Sequence, residues 1–347
     1  MPNIINDNKY LKKVVNGITT NYVKCLKYES PQSMYFYIQD TSGNANALTF
    51  NTYGNYTGML SYRDVYYSYD LSQWQVTTVT PTGHVSINIP ANGRVYLKCQ
   101  TDYWGREYKQ YFTYSMSFCI NCNDFCDVGG NIMSLLYGDN FVNQYTIPTD
   151  LCFYALFYNN NKIINAKDLC LPATTLTRSC YTTMFEGCSS LITAPTLPAT
   201  TLTSNCYTHF FYNCSSLISA PALPATTLAN SCYYSMFYNC SSLISAPALP
   251  ATTLEENCYT FMFGRCTTLT TAPALPATTL AQNCYNNMFR YCSNLNSITV
   301  GATSWDTSKS SDWVYGVSAT GTFTKPSGTT IPEGTYGIPS GWTVVNV

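Results

Sequence analysis

"LPATTLANSCYYSMFYNCSSLISAPA" occupies residues 223–248, and its two neighbours say almost the same thing. The preceding segment, from Leu197, reads "LPATTLTSNCYTHFFYNCSSLISAPA"; the following one, from Leu249, reads "LPATTLEENCYTFMFGRCTTLTTAPA". The period is 26 residues, with copies starting at Leu171, Leu197, Leu223, Leu249 and Leu275. A degenerate copy, "LCFYALFYNNNKIINAKDLCLP", precedes them. Periods of about 20–50 residues mark stacked-repeat architectures.

The apolar residues fall into columns. Leu171, Leu197, Leu223, Leu249 and Leu275 form one; Leu176, Leu202, Leu228, Leu254 and Leu280 a second; Leu191, Leu217, Leu243, Leu269 and Leu295 a third. Stacking would bury each column as a ladder. One repeat has too few apolar side chains to offset the entropy of ordering its backbone, so the array is expected to fold only as an array.

Within "CYTTMFEGC", Cys180, Met184 and Cys188 lie at i, i+4 and i+8. Tyr181 and Phe185 fall beside them at about 100° per residue, which predicts a short amphipathic helix. Ser179, Asn205, Ser231, Asn257 or Asn283 stands before it as an N-cap. The segment around Leu191 reads as a short strand, and "APxLP" as an extended corner, because proline donates no ladder bond.

These residues resemble the leucine-rich repeats of the BspA-like, treponemal type, in which Phe is followed three residues later by Cys, then by Leu and a Leu-Pro pair. The resemblance covers about residues 145–300; the period here, 26, is longer than the family's. The C-terminal "DWVYGVSATGTFTK" and "GIPSGWTVV" also resemble the tails of such proteins in gut Bacteroides and their bacteriophages. The resemblance implies a binding role on a cell or virion surface, without catalysis.

The remaining sequence organises around the array. Residues 1–27 read as a partly ordered arm whose only basic spot is "YLKKVV". Residues 28–118 hold "SMYFYIQ", "DVYYSYD", "WQVTTV", "HVSINI" and "RVYLKCQ", short Tyr- and Val-rich strands separated by turns such as "PANG". The expected fold is therefore β-rich and multi-domain. An antiparallel β-sandwich leads, through a junction and N-terminal cap at 119–144, into a leucine-rich-repeat solenoid over 145–300, with one short strand and one short helix per repeat. A small β cap closes the chain at 301–347.

Only 10% of the 347 residues are charged, and 17 basic residues balance 18 acidic ones. An average soluble domain carries roughly 25%. Nucleic-acid binding would need a basic patch, and the sequence has none. The 31 tyrosines and abundant Ser, Thr and Asn suit neutral polar partners such as glycans or protein surfaces. No run of 18 apolar residues offers a membrane span. The N-terminus lacks a signal-peptide pattern, which leads to the expectation of folding in a reducing cytosol.

The 17 cysteines fit that expectation. Ten recur at the repeat period: Cys180, Cys188, Cys206, Cys214, Cys232, Cys240, Cys258, Cys266, Cys284 and Cys292. They read as free, buried structural thiols, not a disulfide staircase. Cys119, Cys122 and Cys126 in "CINCNDFC" lack a nearby His to complete a zinc set, and "CNDFCDVGGN" lacks the spacing of a calcium loop. No metal or cofactor is expected. The only histidines are His84 and His209, and the acids in 171–300 are Glu186, Glu255 and Glu256. No nucleophile elbow or phosphate loop accompanies them, so no enzyme is expected.

Comparing repeats locates the variation. The predicted outward positions gather His209, Tyr212, Tyr234, Tyr238 and Phe261 on one face of the middle repeats, as a candidate ligand site. The reading is a bacteriophage virion component: a head or tail fibre or a capsid decoration. It would be made in the host cytoplasm and would bind a host-surface glycan or protein through the repeats. Other virion proteins, or further copies of the chain in a homo-oligomer, would be bound through the N-terminal region. The competing reading is a bacterial cell-surface adhesin.

Overall fold

The computed structural model describes residues 35–53, 63–80, 85–100 and 117–347, together with three strands nearer the N-terminus. These three, β1 (Ile4–Asp7), β2 (Tyr10–Val15) and β3 (Ile18–Val23), pair antiparallel in chain order. The expected arm thus holds a small sheet, with "YLKKVV" as its middle strand.

Next come β4 (Phe36–Asp40), β5 (Asn46–Tyr53), β6 (Arg63–Ser68), β7 (Gln75–Val79), β8 (Val85–Ile89) and β9 (Arg94–Lys98). The chain then adds β10 (Ser117–Cys122), β11 (Cys126–Asn131) and β12 (Ile163–Cys170). One sheet has the order β12-β11-β4-β9-β6-β7 and the other β10-β5-β8. All five strands expected from the Tyr- and Val-rich runs are present; β5 was passed over, and β10, β11 and β12 come from segments read as junction and repeat. Alternation along β6 and β9 sends Val65, Val95 and Leu97 inward, as period-2 sequences must when one face is covered. Phe36, Phe50, Ile87 and Phe118 complete the core these sheets share.

The sheets run on into the repeats. β12 pairs parallel with β11, while its Ile164 carbonyl accepts from the Ile192 N–H at 2.8 Å. Buried side chains of the sheets and of the repeats form one continuous cluster.

Here the structure corrects the sequence reading. The segments expected to be helices are ribbons of consecutive turns. Cys180, Thr182, Met184, Glu186 and Cys188 each donate N–H to the carbonyl three residues back. The residues between them, Ser179, Tyr181, Thr183, Phe185 and Gly187, donate instead to Ser204, Cys206, Thr208, Phe210 and Tyr212 of the next coil, at 2.8 to 3.1 Å. A helix would keep every bond internal and tie no coil to its neighbour. The turn ribbon satisfies the backbone equally and joins the coils laterally. The expected strand around Leu191 likewise reduces to single bridging pairs, Asn165 with Thr193, Thr193 with Ser219 and Ser219 with Ser245.

The expected ladders are in place. Leu191, Leu217, Leu243, Leu269 and Leu295 are fully buried. Phe153, Tyr181, Tyr207, Tyr233, Tyr259 and Tyr285 stack in series with ring centroids 5.8 to 6.4 Å apart. The ten repeat cysteines are buried free thiols, pushed upward in pKa by burial. Cys170, just ahead of the first full repeat, is in a disulfide.

Both ends of the array are covered. The degenerate copy donates to the first repeat through Phe153, Ala155, Phe157 and Asn159, and the Ile120 N–H of β10 binds its Leu156 carbonyl. At the other end, Lys309, Ser311, Trp313 and Tyr315 accept the last repeat's N–H groups from Tyr285, Asn287, Phe289 and Tyr291. Trp313 stacks on Tyr285 at 5.9 Å and so ends the tyrosine ladder. A parallel sheet of β13 (Ser297–Thr299), β14 (Thr322–Lys325) and β15 (Thr343–Asn346) flanks this cap. The described protein is therefore β-rich, with several separate sheets and little helix. Among its described residues, no helix is long and apolar enough to cross a membrane.

Candidate functional site

Each turn ribbon places every fourth residue in the left-handed backbone region. The first such column runs Leu151, Ser179, Asn205, Ser231, Asn257, Asn283; the second Ala155, Thr183, His209, Ser235, Phe261, Asn287; the third Asn159, Gly187, Asn213, Asn239, Arg265, Tyr291. Gly and Asn suit this conformation, whereas a bulky side chain there costs about 1–2 kcal/mol. Twelve of these eighteen positions hold Gly, Asn or the small Ser and Ala. Leu151 (φ 59°), Thr183 (φ 55°), His209 (φ 54°), Phe261 (φ 56°), Arg265 (φ 62°) and Tyr291 (φ 62°) do not. Strain held at particular residues points to a use for their side chains.

His209 and Phe261 belong to one aromatic cluster. His209 contacts Tyr212 (5.0 Å between ring centroids), Tyr212 stacks on Tyr238 (4.9 Å), and Tyr238 meets Phe261 edge-on (6.0 Å). Phe261 meets Tyr234 (6.2 Å), and Tyr234 returns to His209 (5.6 Å). The five residues expected to share a face close into a ring of aromatic contacts, all of them half-buried. Gly264 makes room for it: a Cβ there would stand 2.8 Å from the Tyr238 ring. Beyond, the Arg265 guanidinium lies 5.3 Å from the centre of the Tyr291 ring.

The opposite edge of the ring is acidic. A Glu186 carboxylate oxygen lies 3.8 Å from His209 Nδ1. Burial pushes Glu186 up to about 7 and His209 down to about 4. Between those values both side chains are uncharged, so the pair is a polar contact and not an ion pair.

The sequence reading placed the five aromatics together for a partly mistaken reason. It treated their positions as the outside of a helix, yet the same positions in other coils are buried, at Thr182, Thr183, Ser235 and Thr260. It missed Arg265 and Tyr291 as neighbours of the site. The signal was available: non-Gly, non-Asn residues in columns four apart that otherwise favour Asn, Ser and Gly. His84 lies outside the described residues.

The other candidate cluster stays apart. Cys122 and Cys126 approach to 2.9 Å between sulfurs, bridging the turn between β10 and β11. Among the described residues, no three His, Cys, Asp or Glu side chains converge to hold a metal ion. A shallow hollow between the β-domain turns, about 390 Å³, is lined by Asn46, Tyr69, Asn88 and Asn123 among others. Asn46 and Tyr69 there already bond main-chain carbonyls.

No family model matches the chain, and no curated protein or solved structure matches it either.

Proposed function

We propose that this is a non-enzymatic binding protein whose repeats form a leucine-rich-repeat solenoid of the BspA-like kind, displaying the aromatic ring to a host-surface ligand. The ligand class that fits best is a glycan. Tyrosine faces stack on the apolar faces of sugars, and Ser, Thr and Asn around them supply neutral hydrogen bonds. One observation carries the reading: the closed ring of five aromatics, two of which sit on strained left-handed backbone. The same column elsewhere holds only Ala155, Thr183, Ser235 and Asn287, none of them aromatic, so the rings at His209 and Phe261 are not a requirement of stacking.

The setting we favour is a bacteriophage virion, as part of a head or tail fibre or a capsid decoration. The N-terminal sheets would dock to other virion proteins or to further copies of the chain. Ten free, buried repeat thiols suit assembly in a reducing cytoplasm. The disulfide at Cys170 favours the second reading, a bacterial cell-surface adhesin that folds after export.

The test is a glycan array probed with the intact protein and with its Tyr238→Ala variant. Retention of a defined glycan set by the parent, lost in the variant, is expected. Equal retention by both would remove the aromatic ring from the function. Detection of the protein in purified virions, against the host envelope fraction, decides between the two settings.

A further inference from the structure

The aromatic ring does not end at Phe261. The third left-handed column carries Gly187, Asn213, Asn239, then Arg265 and Tyr291, and the cap continues with Gly316 in the same conformation. Four of these six residues are the types that the backbone favours. Arg265 is not; it is exposed, and its guanidinium rests against Tyr291.

Its charge is also unspent. Arg290, one coil on, lies 3.3 Å from Asp312 and 2.9 Å from Asn287. Among the described residues, no carboxylate lies within ion-pair distance of Arg265. Its place beside the ring follows from the chain: Gly264, the residue before it, packs so close to the Tyr238 ring that a Cβ there would stand 2.8 Å away. A strained backbone therefore holds an unpaired cation at the edge of a sugar-sized aromatic platform.

We propose that Arg265, backed by Tyr291, is an anion-reading subsite, and that the ligand of the aromatic ring is an acidic saccharide. Its pyranose would stack on Tyr212 and Tyr238 while its carboxylate or sulfate meets the guanidinium. Arginine suits this role because its planar fork bonds both oxygens of such a group at once. Glu186 and His209, at the other edge, offer no positive charge at neutral pH, so the acidic end of the sugar turns towards Arg265. The inference rests on the glycan-binding reading above and narrows its ligand class.

The experiment uses the intact protein on an array of matched oligosaccharides that are neutral, carboxylated or sulfated. The parent is expected to prefer an acidic member over its neutral counterpart by about tenfold, the scale of one charge-assisted hydrogen-bond pair. Arg265→Gln should abolish that preference and leave neutral binding unchanged, while Tyr238→Ala should abolish both. Preference for carboxylated or for sulfated members, if it depends on Arg265, identifies which anion is read. Equal binding of neutral and acidic members by the parent, or a preference that survives Arg265→Gln, overturns the subsite and leaves the aromatic site standing. No retention of any glycan by the parent overturns both. Circular dichroism of each variant confirms that the fold is intact.

Discussion

The Sγ of Cys240 donates to the carbonyl oxygen of Phe211, one coil back, at 3.2 Å. The relationship repeats along the stack: Cys188 to Phe157, Cys214 to Phe185, Cys266 to Phe237 and Cys292 to Phe263, at 2.9 to 3.1 Å. The second cysteine of each repeat is thus a buried donor that ties its coil to the one before. Because burial keeps these thiols protonated, the donor hydrogen stays in place at neutral pH.

Cys240→Ala should therefore cost about 0.5–1.5 kcal/mol, the scale of one lost bond, because the Phe211 carbonyl keeps its other donor, the Cys214 N–H at 3.0 Å. Cys240→Ser keeps a donor and should cost less. Urea denaturation midpoints decide it: equal losses in the two variants would show that the bond contributes nothing.

The ten repeat thiols should alkylate in denatured protein that has never met a reductant, and Cys170 should not. Peptide mass mapping reads each site. Oxidation at several repeat cysteines would remove the argument for cytoplasmic assembly and strengthen the adhesin reading.

Leu243→Ala should destabilise the array by about 2–5 kcal/mol, since Leu243 is fully buried between like neighbours. Tyr238→Ala should cost roughly 0.5–1.5 kcal/mol, the scale of a single aromatic pair. Similar losses in the two would place Tyr238 in the core and not in a surface ring.

Arg265→Asn should stabilise the protein by about 1 kcal/mol by relieving the left-handed backbone. It also offers a side-chain amide beside the existing bond from Asn239 Nδ2 to Asn213 Oδ1, 2.9 Å long. A lower melting temperature in this variant would mean that the stack on Tyr291 outweighs the strain.

Glu186 and His209 give opposing pH slopes. The folded protein holds the Glu186 proton up to about pH 7, against an ordinary value of 4.5, so this group's contribution to stability falls as pH rises through that window. His209 accepts a proton only near pH 4 when folded, against an ordinary value of 6.5, so its contribution falls as pH drops from 6.5 towards 4. In the overlap the slopes offset each other. Glu186→Gln should leave stability rising with pH between 4 and 6.5, and His209→Asn should leave it falling between 4.5 and 7. Denaturant titrations across pH test both. An unchanged slope in either variant would show that the pair does not titrate as a buried neutral couple.

What was legible in the sequence divides along physical lines. The leucine, tyrosine and cysteine columns were plain, because stacking turns a repeat period directly into burial. The ribbon conformation was not. Cys180 with Tyr181, then Met184 with Phe185, then Cys188 recur at a spacing of four, and over nine residues that pattern barely differs from a helix's 3.6. Gly187, with Asn205, Asn213, Asn239, Asn257 and Asn283 at the matching places, held the distinguishing signal, for a helix has no use for such residues at a spacing of four. The β-domain strands were found by alternation. β5 was overlooked although it supplies Leu48 and Phe50 to the core, because "NANALTFNTY" reads as polar turn residues around a short apolar stretch. Arg265 escaped notice because its importance lies in a torsion angle that composition does not display.

The alternating donors of the turn ribbon all face one way along the stack, from each coil to its successor, and the terminal acceptors come from a cap that imitates a coil. Every internal junction is therefore chemically interchangeable. Removing or duplicating one 26-residue unit would restore the same bonds at the new seam without altering either end. Near-identical copies are also the raw material for unequal recombination between their coding segments. Such a gene can change the reach of its product, and the number of coils carrying the aromatic surface, in a single genetic event that leaves the N-terminal sheets untouched.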